Sequence, residues 1–174
     1  MEYADVVRFH GHECPGLAIG FRMATAGLDA LRHERSADEE LVAIVENDAC
    51  GVDAVQFLAG CTFGKGNLRF RDYGKQAYIF YSRRSGKGVR VLFHGRGIPA
   101  EMTDRREREQ YILAAPADAL LTVTPVTVDE PEPARIRDSV LCASCGEQVM
   151  QTRTVQHEAG EVCRPCAEPA RMRS

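Results

Sequence analysis

Gln76-Ala-Tyr-Ile-Phe-Tyr81 and Val89-Arg-Val-Leu-Phe93 stand on either side of Ser85-Gly-Lys-Gly88. Short runs of aromatic and β-branched residues read as strands, and the glycine-rich tetrapeptide between them reads as the turn of a β-hairpin. A hairpin pairs its strands antiparallel, whereas a doubly wound sheet joins parallel strands through helices. The fold class expected around this hairpin is therefore α+β, with helices and strands in mixed order.

On the N-terminal side, Leu17, Phe21, Ala24, Leu28 and Leu31 repeat at helical spacing, and Pro15 stands where a helix accepts proline best. A helix is expected from Cys14 to about Leu31. A second stripe on it, Gly16, Gly20, Ala24 and Gly27, would let another backbone approach closely. Leu41–Val45 suits a buried strand, 51–59 a helix, and Gly60-Cys-Thr-Phe-Gly-Lys-Gly-Asn67 a loop. On the C-terminal side, Asp104 with Glu107 caps a helix through about Ala115, Pro116 ends it, and residues 119–128 form one more strand. The stretch 129–138 is charged, contains prolines and is almost without apolar residues, the composition of an exposed linker. Residues 1–128 are thus expected to form the core domain, 129–138 the linker and 139–174 a small second domain.

The chain's 174 residues, 44% hydrophobic and 27% charged, fit one main globular domain with a small appendage. Charges or prolines interrupt every apolar run well short of the roughly 20 residues a membrane helix needs. The N-terminus, Met1-Glu-Tyr-Ala-Asp5, is acidic where a signal peptide is basic, so a cytoplasmic location is expected, away from membranes. A net charge of −3 and a pI near 6.0 speak against nucleic acid as a partner.

Four of the seven cysteines form two close pairs, Cys142-x-x-Cys145 and Cys163-x-x-Cys166, with 17 residues between them. Two such turns can close a tetrahedral four-sulfur site around zinc. Some thirty residues cannot bury enough apolar surface to fold alone, so the metal would supply the missing stability. In this tail four arginines offset four glutamates. A phosphate-tracking face shows a basic excess, so a structural zinc knuckle, or one that docks a protein partner, is the better reading.

The other chemistry-bearing residues lie in the core. His10-Gly-His-Glu-Cys14-Pro-Gly16 spaces His10, His12 and Cys14 two residues apart, so an extended segment would turn all three to one side. Cys14 stands at a helix start, where free backbone N–H groups favour a thiolate, and is expected to be the most reactive core thiol when no metal is bound. Asn47-Asp-Ala-Cys50-Gly-Val-Asp53 repeats the arrangement, a cysteine opening a helix with an acid one turn in. Cys61 follows in the glycine loop with Lys65 four residues on. Only three residues separate Gly60 from Gly64, so the loop is not a P-loop, although its N–H groups and lysine suit an anion.

Together, His10-Gly-His-Glu-Cys-Pro-Gly-Leu-Ala-Ile-Gly20, Cys50-Gly-Val-Asp-Ala-Val-Gln56 and Gly60-Cys-Thr-Phe-Gly-Lys-Gly-Asn-Leu68 resemble the E-subunit family of formylmethanofuran dehydrogenase. The resemblance implies an α+β core, an intertwined or swapped homodimer, and a cleft holding the motif histidines and cysteines. Many members also carry a C-terminal zinc finger. The parent enzyme is a tungsten- or molybdenum-dependent oxidoreductase that reduces carbon dioxide to a formyl group on methanofuran, with its active metal and pterin in other subunits. Carried to this chain, the motifs give a metal or thiol site made by some of His12, Cys14, Cys50 and Cys61 with His10 supporting it, a core site for a second transition metal in addition to the zinc of the knuckle. Cys14 is then a candidate nucleophile, Asp53 orients a ligand or moves a proton, and Lys65 meets an anion. Three functions follow: an accessory subunit or small enzyme in one-carbon or metal-cofactor chemistry, a metal-delivery protein, or a zinc-finger regulator. The net-neutral knuckle counts against the third.

Overall fold

The computed structural model describes residues 1–32 and 35–168. It falls into two units, Met1–Ala134 and Arg135–Ser174. The first begins with helices α1 (Tyr3–His10) and α2 (Pro15–Leu31), strand β1 (Leu41–Val45) and helix α3 (Gly51–Ala59). Strands β2 (Leu68–Phe70), β3 (Ala77–Ser82) and β4 (Lys87–Phe93) follow, then helices α4 (Arg105–Ala114) and α5 (Ala117–Leu120) and strand β5 (Leu121–Val126). The five strands make one sheet in the order β2-β1-β3-β4-β5. Only β1 and β2 run parallel; every other neighbouring pair is antiparallel. The class is α+β, and the hairpin that signalled it sits at the centre, with its turn at residues 83–86, two positions earlier than the glycines alone suggested.

Alternation along the strands sends Leu41, Ala43, Val45, Tyr78, Phe80, Val89 and Val91 into one core with Leu17, Met23 and Ala24 of α2 and Val55 and Leu58 of α3. Each large side chain buried in this way contributes about 1.5–3 kcal/mol. The glycine stripe of α2 explains how the helix comes so close. A side chain at Gly20 would strike the Gly51 backbone of α3, and one at Gly27 would strike the Phe80 ring of β3. The stripe is consumed inside the chain, so it no longer argues for packing against a second copy.

Polar groups hold the helices in place. The Asp104 carboxylate caps α4 by accepting the N–H groups of Arg106 and Glu107, both at 2.9 Å. At the other end of α4, Arg22 reaches over from α2 and donates to the carbonyls of Ile112, Leu113 and Ala115, each at 2.7 Å. A cation there satisfies free carbonyls and the negative end of the helix together. At the end of β1, the buried Glu46 carboxylate receives both Nε and a terminal nitrogen of Arg90 on β4, at 3.0 and 2.9 Å.

The first half of the charged 129–138 stretch stays with the core. Arg83 pairs with Glu130 at 3.1 Å, Arg69 donates to the Glu132 carbonyl at 2.7 Å, and the Ala134 N–H donates to Glu39 at 2.9 Å. The division between the two units falls inside that stretch, after Ala134.

The second unit is built from two small hairpins, β6 (Ser139–Leu141) with β7 (Gln148–Met150) and β8 (Thr154–His157) with β9 (Gly160–Cys163), and a single-turn helix α6 (Arg164–Ala167). Its buried cluster is Cys142, Val162 and Cys163. Two of these three are cysteines of the expected metal site. No helix among the described residues is long and apolar enough to cross a membrane.

Candidate metal centres

Two groups of four possible ligands are formed among the described residues: His10, His12, Cys14 and Cys50 in the core, and Cys142, Cys145, Cys163 and Cys166 in the tail. In each group the ligand atoms all lie within 4.8 Å of one another. A tetrahedral ion 2.0–2.3 Å from each donor wants the donors about 3.3–3.8 Å apart, so small side-chain rotations would close either site.

In the tail, Cys142 leaves the end of β6 and the chain turns back through Gly146, whose φ of 74° favours glycine. The backbone N–H groups of Cys145 and Cys163 point at the Cys142 sulfur from 3.5 and 3.3 Å. These donors hold the Cys142 thiol well below its ordinary value, at about 6. Its sulfur is thus prepared as a thiolate, the form that binds a metal.

The core group is assembled from three helix ends. His10 is the last residue of α1, and Gly11 then turns the chain at a φ of 98°. The segment is therefore not extended, as alternate spacing suggested, but a helix end followed by a short loop. Cys14 caps α2, its sulfur accepting the Leu17 N–H at 3.3 Å, with Pro15 opening the helix as expected. Cys50 stands at the start of α3, delivered by a loop that Asn47 shapes: its Nδ2 donates to the Lys75 carbonyl at 2.6 Å and its Oδ1 accepts the Ala49 N–H at 3.1 Å. The positive ends of two helices thus meet at the two sulfurs. A Cβ at Gly16 would lie 3.4 Å from the Cys50 Cβ and 3.9 Å from both sulfurs, so this glycine opens the space between them. Burial, with the neighbouring Cys14, pushes the Cys50 thiol up.

His10 carries the clearest mark of a ligand. Its Nδ1 lies 2.7 Å from Asp53 Oδ2, on the first turn of α3. A carboxylate can only accept, so Nδ1 carries a proton, and in the neutral ring the lone pair is on Nε2. That Nε2 is buried, and it has no hydrogen-bond partner among the described residues. Asp53 is itself held by Gln56, whose Nε2 donates to Oδ1 at 3.2 Å. The His12 ring stands 4.4 Å from the His10 ring and is exposed. Two imidazoles and two thiols suit zinc or another borderline transition metal.

The structure places the two remaining candidates elsewhere. Cys61 follows the C-terminal end of α3 while Cys50 precedes its N-terminal end, and nine helical residues separate those ends by about 13 Å. The Cys61 thiol is fully buried, points at the Leu41 carbonyl at 3.3 Å, and is pushed up to about 12 by burial. It stays a neutral thiol packed in the core. Lys65 Nζ donates to the Asp38 carbonyl at 3.0 Å and the Ala37 carbonyl at 3.4 Å, clamping one loop to another. Sequence spacing gave no sign of Tyr78, a hairpin residue whose buried hydroxyl lies against Gly51.

The family model described as FmdE, molybdenum formylmethanofuran dehydrogenase operon, matches residues 9–127. The chain belongs to the FmdE family. The matched region contains all four core ligands and ends before the four tail cysteines, so the core group lies within the FmdE domain. A crystal structure of an FmdE-like protein of tungsten formylmethanofuran dehydrogenase type from Syntrophus aciditrophicus is similar to this FmdE-family chain, with a TM-score of 0.75 and 28% identity. The likeness covers 98% of this chain and 94% of that one. A probable S-adenosyl-L-methionine-binding protein of Archaeoglobus fulgidus is 31% identical over 175 residues, 83% of this chain. The match takes in 48% of that protein, so the chain spans about half the length of this curated relative.

Proposed function

We propose that this FmdE-family chain binds two metals, a structural zinc on the four tail cysteines and a second transition metal on His10, His12, Cys14 and Cys50. We further propose that it serves as an accessory subunit or small enzyme in one-carbon or metal-cofactor chemistry. The observation that carries the core site is the buried, unpartnered His10 Nε2, aimed with its lone pair while Asp53 fixes the other nitrogen. An unmatched buried acceptor is costly, and a metal ion would satisfy it. When bound, such a metal would supply Lewis-acid chemistry at the cluster. The protein residues then have distinct tasks. Cys14 and Cys50 bring negative charge at two helix starts, His10 is oriented by Asp53, and the exposed His12 leaves one side of the cluster open to solvent.

That opening also supports a second reading, a metal-delivery protein, because a solvent-facing ligand is the one a recipient can displace. Elemental analysis of the purified chain tests the shared premise: two metals per chain are expected, falling to one in His10→Ala with the tail zinc retained. One metal in both proteins would refute the core site. Rapid transfer of the core metal to an apo-acceptor, faster than its release to a chelator, would then favour delivery over catalysis.

A further inference from the structure

Among the described residues only two buried side-chain polar atoms lack a hydrogen-bond partner, His10 Nε2 and the hydroxyl of Tyr78. The first belongs to the core cluster. The second lies against Gly51, the neighbour of Cys50 in the chain. Tyr78 is fully buried in β3, and a Cβ built on Gly51 would stand 2.6 Å from its hydroxyl oxygen. Gly51 is the residue after Cys50, at the first turn of α3. A side chain there would fill the place the hydroxyl occupies. The same point is crowded by Gly20 and the Gly16 carbonyl, 3.0 and 3.1 Å from that Cβ position. Three glycines therefore bring α2, α3 and the tip of Tyr78 together at the residue that follows Cys50.

The Asn47 side chain stands close to the hydroxyl, but its amide donates to the Lys75 carbonyl at 2.6 Å and the Gln76 side chain at 3.4 Å, and the hydroxyl itself makes no hydrogen bond. A tyrosine hydroxyl is a good donor, and a metal-bound thiolate is a good acceptor that a neutral thiol is not. Burial makes the Tyr78 hydroxyl hold its proton, with the neighbouring Cys50 acting in the same direction and the Asn47 side chain against it.

From this convergence we infer that Tyr78 is a positioning residue for the core metal: its hydroxyl donates to the Cys50 sulfur once that sulfur is a metal thiolate. The inference rests on the core metal reading above. It assigns no chemistry to Tyr78 itself. The hydrogen bond would draw charge from the thiolate, fix its direction and give a buried donor its acceptor, so the metal-bound form gains what the metal-free form lacks.

The test is Tyr78→Phe, which removes the oxygen and keeps the ring. Cobalt(II) is titrated into the full chain, with zinc kept in the four-cysteine site, against a competing chelator. About tenfold weaker cobalt binding is expected, the scale on which groups supporting a metal ligand act. A shifted thiolate-to-cobalt charge-transfer band should accompany it, with no fall in the melting temperature of the chain whose core is metal-free. Unchanged affinity and superposable spectra would overturn the inference. So would a lowered metal-free melting temperature with an unshifted band, which would mark the hydroxyl as a structural group. If the parent chain takes up no cobalt beyond the tail site, the core metal reading fails and this inference with it. If the parent binds and the variant is identical, only the role of Tyr78 falls.

Discussion

The two four-ligand groups differ in what holds them. In the tail the ligands are the core: of three buried residues in the cluster, two are Cys142 and Cys163, and the strands around them are three or four residues long. In the FmdE domain, by contrast, Cys14 is one residue of a large buried cluster made mostly of aliphatic and aromatic side chains. A five-stranded sheet packed on α2 and α3 brings three helix ends together, and the ligands hang from those ends. A metal bound in the tail would therefore be coupled to folding, and one bound in the core to local geometry.

The largest effect is expected where that coupling is strongest. Cys142→Ser should release the tail metal and unfold the chain beyond about residue 139, while the FmdE domain melts within about 4 °C of the parent, the shift that about 1 kcal/mol produces in a domain of this size. Calorimetry and amide NMR would show it, and a core transition that collapses along with the tail would break the contrast.

The reverse experiment is next in size. His10→Ala should weaken core metal binding by more than about 100-fold and leave the fold intact. Asp53→Asn, which keeps the side chain's shape but disturbs the tautomer of His10, should weaken it by about 10–100-fold. Chelator competition measures both. Equal losses from the two would mean that Asp53 binds the metal directly rather than through His10.

Thiol reactivity sharpens the comparison inside the core. In the metal-free chain at pH 7, the half-buried Cys50 and the buried Cys14, which has the Leu17 N–H on its sulfur, should both be alkylated before Cys61, which is labelled only on unfolding. Peptide mapping after limited reagent decides the order, and early labelling of Cys61 would contradict its burial.

The smallest effect is invisible near neutrality. The Cys61 thiol, at about 12 in the folded chain, has an ordinary value of 9.0, so the folded state holds its proton more tightly than the unfolded one. The stability this brings is complete below pH 9 and is lost as pH rises toward 12. Cys61→Ala should therefore lose stability less steeply across that window, as read from denaturant midpoints. Parallel curves would show that Cys61 titrates normally.

Much of the local structure was legible in the residues because its causes are local. Pro15 after Cys14, Asp104 ahead of Glu107, and apolar runs beside glycines each act within a turn or two of chain, and α2, α4 and the β3–β4 hairpin lie where those signals place them. The four tail cysteines are equally local, two tight turns that need only meet. Three elements of the core escaped notice, as did the short strands and helix of the tail. Helix α1 was hidden because the His10, His12 and Cys14 spacing suggested an extended segment, although Gly11 is also a helix-ending signal. Strand β2 has three residues and α5 has four, too few for any periodicity to register.

Which cysteines share a site could not be read from the sequence. Cys50 and Cys61 flank the same helix and both follow the motif pattern, yet one joins His10, His12 and Cys14 and the other turns to the Leu41 carbonyl. That choice is made by the packing of α2 on α3 through Gly20 and Gly51, which brings one end of α3 to the start of α2 and leaves the other about 13 Å away. The His10–Asp53 pair and the place of Tyr78 against Gly51 are likewise settled by tertiary packing. Sequence determined which groups could bind a metal, because that is a property of side chains. Tertiary structure decided which of them meet, because convergence across 40 residues is set by how helices seat on a sheet and not by spacing along the chain.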